Sequence, residues 1–221
     1  MTTFEKLGLQ AVIFDMDGLL FETESLYLDA WPEVGAALGF PITREVAMQT
    51  ISRQLKDCEA MFQAHYGPEF SIEAARPIMR AWFLAEIEKN GLPLRPWARE
   101  MVELVHGKGI PFALGTANRS VVARYYLEVT GLAEYFHTIV TLDMVEHGKP
   151  APDVFLQAAA RMGFPPEQCL VLEDSPIGLQ AAYAAGCLPV LVPDLLLPDE
   201  ATIAKAWRVF DNLKQVAEVL F

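Results

Sequence analysis

The stretch Ala11-Val12-Ile13-Phe14-Asp15-Met16-Asp17-Gly18 decides the fold, because four apolar residues run directly into two carboxylates. Val, Ile and Phe favour a strand that is buried on both faces, and Gly18 allows the backbone to turn sharply where that strand ends. The two aspartates therefore lie at the carboxyl end of a predicted strand, which is where ligands bind in open parallel sheets. A solvated Asp-x-Asp-Gly turn is the alternative interpretation, because Asp and Gly are ordinary turn residues.

Length and composition describe a chain that can bury a sizeable core. The 221 residues are 52% hydrophobic and 21% charged, which is typical of globular proteins and allows one large domain or a core domain with an insertion. The formal net charge of −12 would repel a phosphate backbone, so we expect no nucleic-acid partner. A small anionic substrate would need local positive charge from a side chain or a metal ion.

The cysteines and the amino terminus indicate the compartment. Cys58, Cys169 and Cys187 are odd in number and widely spaced, so the sequence predicts buried, reduced thiols and neither a disulfide framework nor a structural zinc site. Residues 1–10 contain no apolar signal segment, and no apolar run approaches the ~20 residues of a membrane span. We therefore expect a soluble cytoplasmic protein without membrane contact, as a monomer or weak dimer.

The pattern along the chain changes twice. Apolar spacing predicts a helix over 24–38, and residues 43–89 show helical periodicity with no strand-like alternation. Beyond Pro96, short apolar runs alternate with helices; we predict strands at 110–114, 138–142, 169–172 and 188–192, helices at 97–105, 121–129, 152–162 and 177–185, and a last short strand and helix between 207 and 220. This alternation predicts an α/β fold with a Rossmann-like parallel sheet and right-handed crossovers.

The helical stretch interrupts this core after its first strand. We place the core domain at residues 1–20 and 94–221 and a helical cap domain at residues 21–93. The insertion is close to the lower end of domain size. Two linkers, near residues 20–23 and 91–95, would let it move as a cap over the carboxyl end of the first strand.

Polar side chains also follow three further predicted strands: Thr116-Ala117-Asn118, Lys149, and Glu173-Asp174-Ser175. Each has an ordinary alternative: Thr116 or Asn118 could be an N-cap, residues 173–175 could cap the helix that follows, and most loop lysines are solvated. A joint occurrence at successive strand ends favours a site instead. A hydroxyl and backbone N–H groups suit phosphate, a lysine suits it as a point charge, and paired carboxylates suit Mg²⁺.

These residues carry a resemblance to a known family. Residues 12–18, 147–153 and 171–175 resemble the motifs of the haloacid dehalogenase superfamily of phosphotransferases. The resemblance extends over essentially the whole chain and is to the branch with a helical cap after the first strand, which includes β-phosphoglucomutase and related phosphatases. It implies the same Rossmann-like core and a small phosphorylated metabolite as the partner.

The resemblance also implies a role for each strand-end residue. Asp15 would be the nucleophile that takes the phosphoryl group and Asp17 the general acid and base, while Thr116 would hold phosphoryl oxygens and Lys149 would neutralise charge. The implied substrate-binding residues are Gly18, Ala117, Asn118 and Arg53, the last as a cap contact whose alternative is a surface cation. The implied cofactor is Mg²⁺, held by Asp15, the carbonyl of Asp17 and Asp174, with Glu173 as a water-mediated or outer-shell ligand.

The resemblance leaves more than one function open. Asp17 argues against carbon–halogen cleavage, because family members with that activity lack the second aspartate. Tyr27 stands where β-phosphoglucomutases have a histidine, and Trp97 replaces a common glycine after Pro96. We expect a Mg²⁺-dependent phosphatase that hydrolyses a sugar phosphate or nucleotide-like metabolite through an aspartyl phosphate. A hexose-phosphate mutase is the alternative, and a non-enzymatic binding protein is the contrasting class.

Overall fold

The computed structural model of the protein describes residues 1–51, 55–196 and 198–221. Packing divides the chain into two compact units, of which the first comprises Met1–Glu22 and Leu92–Phe221 and the second Thr23–Gly91. The second unit is thus inserted into the sequence of the first, shortly after the Asp15-Met16-Asp17 segment.

The first unit is built on a parallel sheet, which confirms the predicted α/β class. Its described strands are β1 (Ala11–Phe14), β2 (Phe112–Gly115), β3 (Ile139–Val140), β4 (Cys169–Glu173), β5 (Leu188–Leu191) and β6 (Arg208–Val209). They form one six-stranded sheet in the order β3-β2-β1-β4-β5-β6, and every described pairing is parallel. The order reverses between β1 and β4, and in such sheets the carboxyl ends at the reversal form the ligand-binding crevice.

Helices connect these strands and make up the second unit. The described α-helices are α1 (Thr3–Lys6), α2 (Thr23–Leu38), α3 (Arg44–Ala47), α4 (Leu55–Tyr66), α5 (Ile72–Asn90), α6 (Ala98–Gly107), α7 (Ser120–Val129), α8 (Asp153–Met162), α9 (Pro176–Ala184), α10 (Glu200–Ile203) and α11 (Leu213–Leu220). The sequence did not predict α1 and α10, because a single turn of four residues is too short to show helical periodicity. The predicted strand at 138–142 is shortened to β3, since Leu142–Met144 forms a 3₁₀ turn.

The central strand β1 is buried on both faces, as its unbroken apolar run predicts. Ala11 and Ile13 belong to one core cluster with residues of α8 and α9. Phe14 points to the other face, where its ring meets Phe112 and Phe136 edge-on with centroids 5.9 Å apart in each case. Successive side chains of a strand point to opposite faces of the sheet. Because all four side chains of β1 are buried, both faces are covered at this strand.

The cysteines are buried thiols and form no disulfide among the described residues. Burial raises the pKa of Cys169 to about 11 and, with the nearby Cys169 adding to the effect, that of Cys187 to about 12. Both groups therefore stay protonated at neutral pH, as the sequence predicts for reduced core cysteines.

The second unit has an aromatic core. The ring of Phe62 lies 4.4 Å from that of Trp31 and 4.7 Å from that of Phe70. Tyr27 stacks on Phe83 with centroids 4.6 Å apart, so Tyr27 packs on the face of its helix within this unit. Phe62 and Phe83 are core residues, whereas Trp82 is only half-buried. Within the described ranges, no helix combines the length and the apolar character that crossing a membrane requires.

Candidate active site

Asp15 is the first residue after β1, at the point where the sheet order reverses. Its backbone N–H donates to the carbonyl of Leu172 at 3.0 Å, which ties it to the neighbouring strand β4. Its side chain is only 8% exposed and pairs closely with the ammonium of Lys149. A carboxylate so buried needs this partner, because an isolated buried charge is costly.

Lys149 bridges two acidic strand ends. It lies in the loop between β3 and α8, and its Nζ donates to Asp15 and to Glu173 Oε1, the latter at 2.7 Å. Burial by itself lowers the pKa of Lys149, but the facing carboxylates of Asp15 and Glu173 more than reverse this and hold the pKa above its usual range. Lys149 is therefore a permanent positive charge beside Asp15.

Glu173 is held from both sides. While Oε1 accepts from Lys149, Oε2 accepts from the backbone N–H of Ser175 at 2.8 Å and from its hydroxyl at 3.0 Å. The Ser175 hydroxyl also accepts from the N–H of Gly178 at 3.0 Å and so caps α9. The alternative that residues 173–175 cap the following helix therefore holds for Ser175, whose position before Pro176 is a common start of a helix.

Three carboxylates converge at this point. Asp15, Glu173 and Asp174 each offer an oxygen atom, and these atoms lie within 4.8 Å of one another. Burial raises the pKa of Asp15 to about 8, although Lys149 opposes this, with Glu173 and Asp17 adding to the rise. When ionised, the three carboxylates carry more negative charge than the single ammonium of Lys149 balances, which is the condition that a divalent cation relieves. The oxygen donors suit a hard cation such as Mg²⁺, and Glu173, already bonded to Lys149 and Ser175, suits an outer position.

The residues after β2 join those after β1. Thr116 is fully buried; its N–H donates to Val140 at 3.0 Å, and its Oγ1 accepts from the N–H of Asn118 at 3.0 Å. The side-chain Nδ2 of Asn118 donates to Asp17 Oδ2 at 2.6 Å. Ala117 lies between them on an exposed part of the loop. Thr116, Asn118 and Asp17 therefore form one hydrogen-bonded group.

Gly18 makes room for the acidic cluster. Its φ is +76°, and a Cβ there would lie 2.7 Å from Cγ of Asp174 and 3.4 Å from Cβ of Asp194. The turn is closed by the bond from the N–H of Gly18 to the carbonyl of Phe21 at 2.9 Å. Any other residue here would be strained and would displace Asp174.

Asp194 is a buried acid that sequence reasoning missed. It follows β5, its side chain is 5% exposed, and it pairs with Arg95 at 2.7 Å. Burial raises the pKa of Asp194, with Arg95 opposing the rise. Its position after a fifth strand was the signal, because the same argument had already selected the ends of four others.

The structure brings most of the expected residues to one edge of the sheet. Those joined by contacts are Asp15, Asp17, Gly18, Thr116, Asn118, Lys149, Glu173 and Asp174. Arg53, which we expected to contact the substrate, lies outside the described residues.

Comparisons with known proteins agree with this geometry. The family model of haloacid dehalogenase-like hydrolases matches residues 9–186. The fructose-1-phosphate phosphatase YqaB of Escherichia coli is 38% identical over 79% of this chain and 92% of that protein. The phosphorylated carbohydrates phosphatase of Thermotoga maritima is 32% identical over 80% of this chain and 82% of that protein.

A solved structure shows the same fold over nearly the whole chain. The HAD family hydrolase from Deinococcus radiodurans, crystallised with bound phosphate and sodium, superimposes with a TM-score of 0.79 at 28% identity, covering 97% of this chain and 98% of that one. The chain therefore belongs to the haloacid dehalogenase-like hydrolase family, and it is an enzyme of that family's phosphatase group.

Proposed function

We propose that the enzyme is a Mg²⁺-dependent phosphatase that hydrolyses a small phosphorylated metabolite through an aspartyl phosphate on Asp15. The observation that carries this proposal is the pairing of Lys149 with both Asp15 and Glu173 beside Asp174. A nucleophilic carboxylate with a permanent cation beside it is the arrangement that phosphoryl transfer needs.

In the first half-reaction Asp15 attacks the phosphorus of the substrate. A bond forms between a carboxylate oxygen of Asp15 and phosphorus, and the bond from phosphorus to the substrate oxygen breaks. The leaving oxygen keeps the electron pair and takes a proton from Asp17. Lys149 stabilises the negative charge on the transferring group, and the Thr116 hydroxyl and nearby backbone N–H groups hold its oxygens.

In the second half-reaction water cleaves the aspartyl phosphate. Asp17, now a carboxylate, accepts a proton from the attacking water, while the bond between Asp15 and phosphorus breaks. Inorganic phosphate leaves, and both aspartates return to their starting states. One residue thus acts as acid and then as base, as microscopic reversibility requires.

The proposed cation site consists of Asp15, the carbonyl of Asp17 and Asp174, with Glu173 in an outer position. A bound Mg²⁺ would supply positive charge to the transferring phosphoryl group. Positive charge at this cluster also favours the ionised form of Asp15, which the nucleophile needs and which burial opposes.

The substrate class we propose is a phosphorylated carbohydrate or polyol. The relatives reported above are named for fructose 1-phosphate and for phosphorylated carbohydrates. An acidic protein with a net charge of −12 would accept such an anion through the local charge of Lys149 and the cation.

Phosphate release from a panel of sugar, polyol and nucleoside phosphates tests the function. With Mg²⁺, the wild-type enzyme should release phosphate from at least one member, and Asp15→Asn should lower kcat by roughly 10⁴-fold or more, since the nucleophile is lost. The matched control is Glu167→Gln, which removes an exposed carboxylate just before β4, at the opposite edge of the sheet; we expect it to keep wild-type activity.

Two outcomes would overturn the proposal. Asp15→Asn as active as the wild type would exclude the aspartyl phosphate. Conversion of glucose 1-phosphate to glucose 6-phosphate without net release of phosphate would establish the hexose-phosphate mutase instead.

A further inference from the structure

Two hydrogen bonds hold the backbone of Asn118, independently of its side chain. It follows β2 in the loop that leads into α7. Its backbone N–H donates to Thr116 Oγ1 at 3.0 Å, and its carbonyl accepts from the N–H of Leu142 at 2.9 Å. The backbone of Asn118 is therefore held by its own loop and by the segment after β3.

The side chain of Asn118 reaches across to the end of β1. Its Nδ2 donates to Asp17 Oδ2 at 2.6 Å, between residues that are 101 positions apart in the sequence. An amide nitrogen donates and does not accept. This bond therefore keeps Oδ2 of Asp17 as an acceptor, restricts rotation of the carboxyl group, and directs any proton on that group to its other oxygen.

We propose that Asn118 is a positioning residue for Asp17 and controls the transfer of the proton to the leaving group. This inference rests on the proposed function, in which Asp17 protonates the substrate oxygen as its bond to phosphorus breaks. Proton transfer depends steeply on geometry, and a displacement of about 1 Å can cost about 10²-fold in rate. Thr116 and Asn118 share one hydrogen bond, so the same loop that holds phosphoryl oxygens also orients the acid.

The dependence of kcat/KM on the leaving group distinguishes a positioning role of Asn118 from a merely structural one. The alkoxide of a sugar or polyol phosphate needs a proton in order to leave, whereas p-nitrophenolate leaves without one. The specificity constant kcat/KM reports only the steps up to formation of the aspartyl phosphate, so the later attack of water does not affect it.

The experiment compares wild type and Asn118→Ala on an alkyl phosphate that the wild type accepts and on p-nitrophenyl phosphate. General acid catalysis contributes about 10²–10⁴-fold, so loss of its orientation should lower kcat/KM by about 10- to 100-fold more for the alkyl ester than for the aryl ester. Asn118→Asp, of equal size but unable to donate when ionised, should show the same selective loss. Thermal unfolding of both variants checks that the fold is retained.

Two aspartate variants separate failure of this inference from failure of the function. Asp17→Asn should show the same selective loss of kcat/KM on the alkyl ester, and Asp15→Asn should lose activity on both esters. Suppose that Asn118→Ala and Asn118→Asp lower kcat/KM equally for both esters while Asp17→Asn lowers it selectively for the alkyl ester. Asn118 then does not orient the acid, and the proposed phosphatase stands. If Asp17→Asn is not selective, there is no acid to position and the inference is wrong. Activity of Asp15→Asn on both esters would instead exclude the proposed function itself.

Discussion

At the scale of single residues, the carboxylate of Glu173 occupies the space that a side chain at position 178 would fill, which is free because Gly178 has none. Gly178 lies in the first turn of α9, and a Cβ there would overlap with the carboxyl group of Glu173. Glu173 is the partner of both Lys149 and Ser175. The packing of the candidate active site therefore requires glycine at this position.

We expect Gly178→Ala to push Glu173 away from Lys149. Overpacking should lower the free energy of unfolding by about 1–3 kcal/mol, and misplacement of the charged group should lower kcat at least about tenfold. Urea unfolding and phosphatase assays measure the two effects. Gly107→Ala at the end of α6, where a Cβ meets nothing within 4 Å, is the control and should be as stable as the wild type or slightly more so. A Gly178→Ala enzyme that matches the wild type in both assays would contradict this account.

Trp97 is the described non-glycine residue with a positive φ, at +69°. It stands before α6, where the family resemblance implies a glycine, and its ring lies 6.0 Å from Nζ of Lys214. A side chain in the left-handed region costs about 1 kcal/mol. The position therefore combines a strained backbone with a modest contact of the ring.

A pair of variants separates these two contributions. Trp97→Ala removes the ring and keeps the strain, whereas Trp97→Gly removes both. We expect the Gly variant to unfold at higher urea than the Ala variant, by up to about 1 kcal/mol in the free energy of unfolding. An Ala variant as stable as the Gly variant would show that the backbone is not strained at this position.

At the scale of elements, α7 is capped by a residue from outside the helix. Its N-cap residue, Arg119, supplies no side-chain bond. Instead Asp143 accepts from the N–H of Ser120 at 2.8 Å, from its hydroxyl at 2.6 Å, and from the hydroxyl of Thr141 at 2.6 Å. The loop after β3 thus holds the start of α7, directly after the loop that contains Thr116 and Asn118.

These bonds predict how stability depends on pH. The hydrogen bonds from Ser120 and Thr141 hold the pKa of Asp143 well below its usual range. A depressed folded-state pKa means that the contribution of Asp143 is complete above the pKa of an unfolded aspartate, about 3.9, and is lost as the pH falls below it. We expect Asp143→Asn to be less stable than the wild type at pH 7 and the difference to shrink toward pH 3, as measured by urea unfolding. Glu134→Gln, at an exposed carboxylate in a loop, is the control; a difference for Asp143→Asn that is the same at both pH values would refute the capping role.

At the scale of the whole molecule, an acidic chain gathers three carboxylates at the point where the proposed function needs an anion to bind. The chain carries a net charge of −12, and two of these three carboxylates, those of Asp15 and Glu173, pair with Lys149. A cation bound at this cluster relieves their mutual repulsion in the folded state, and the unfolded chain offers no such cluster.

Mg²⁺ should therefore raise the melting temperature. At about 100 times its Kd, a ligand that binds only the folded state adds about 2.7 kcal/mol, or several degrees for a chain of this size. Differential scanning fluorimetry with MgCl₂, compared with NaCl at equal ionic strength, separates specific binding from general screening. Asp174→Asn should lose most of the Mg²⁺-specific shift. An equal Mg²⁺-specific shift of the melting temperature in wild type and variant would show that the cation binds at a different site.

The sequence by itself determined the order of elements and the edge at which the site lies. Hydrophobic periodicity is a local property, so it predicted α2, α8 and β4 nearly to the residue. Carboxyl ends of parallel strands meet at one edge of a sheet, which is why Asp15, Thr116 and Asp174 were expected together. Elements of a single turn and the length of β3 were not predictable, since so few residues carry no period.

Only the tertiary structure decided which polar group bonds to which. Lys149 pairs with Asp15 across 134 positions of sequence, Asn118 with Asp17 across 101, and Ser120 with Asp143 across 23. These partners depend on strand register and on the close approach of loops, to within a few tenths of an ångström. A pattern of residue types carries no such information, because the same side chains at the same edge would allow several other pairings.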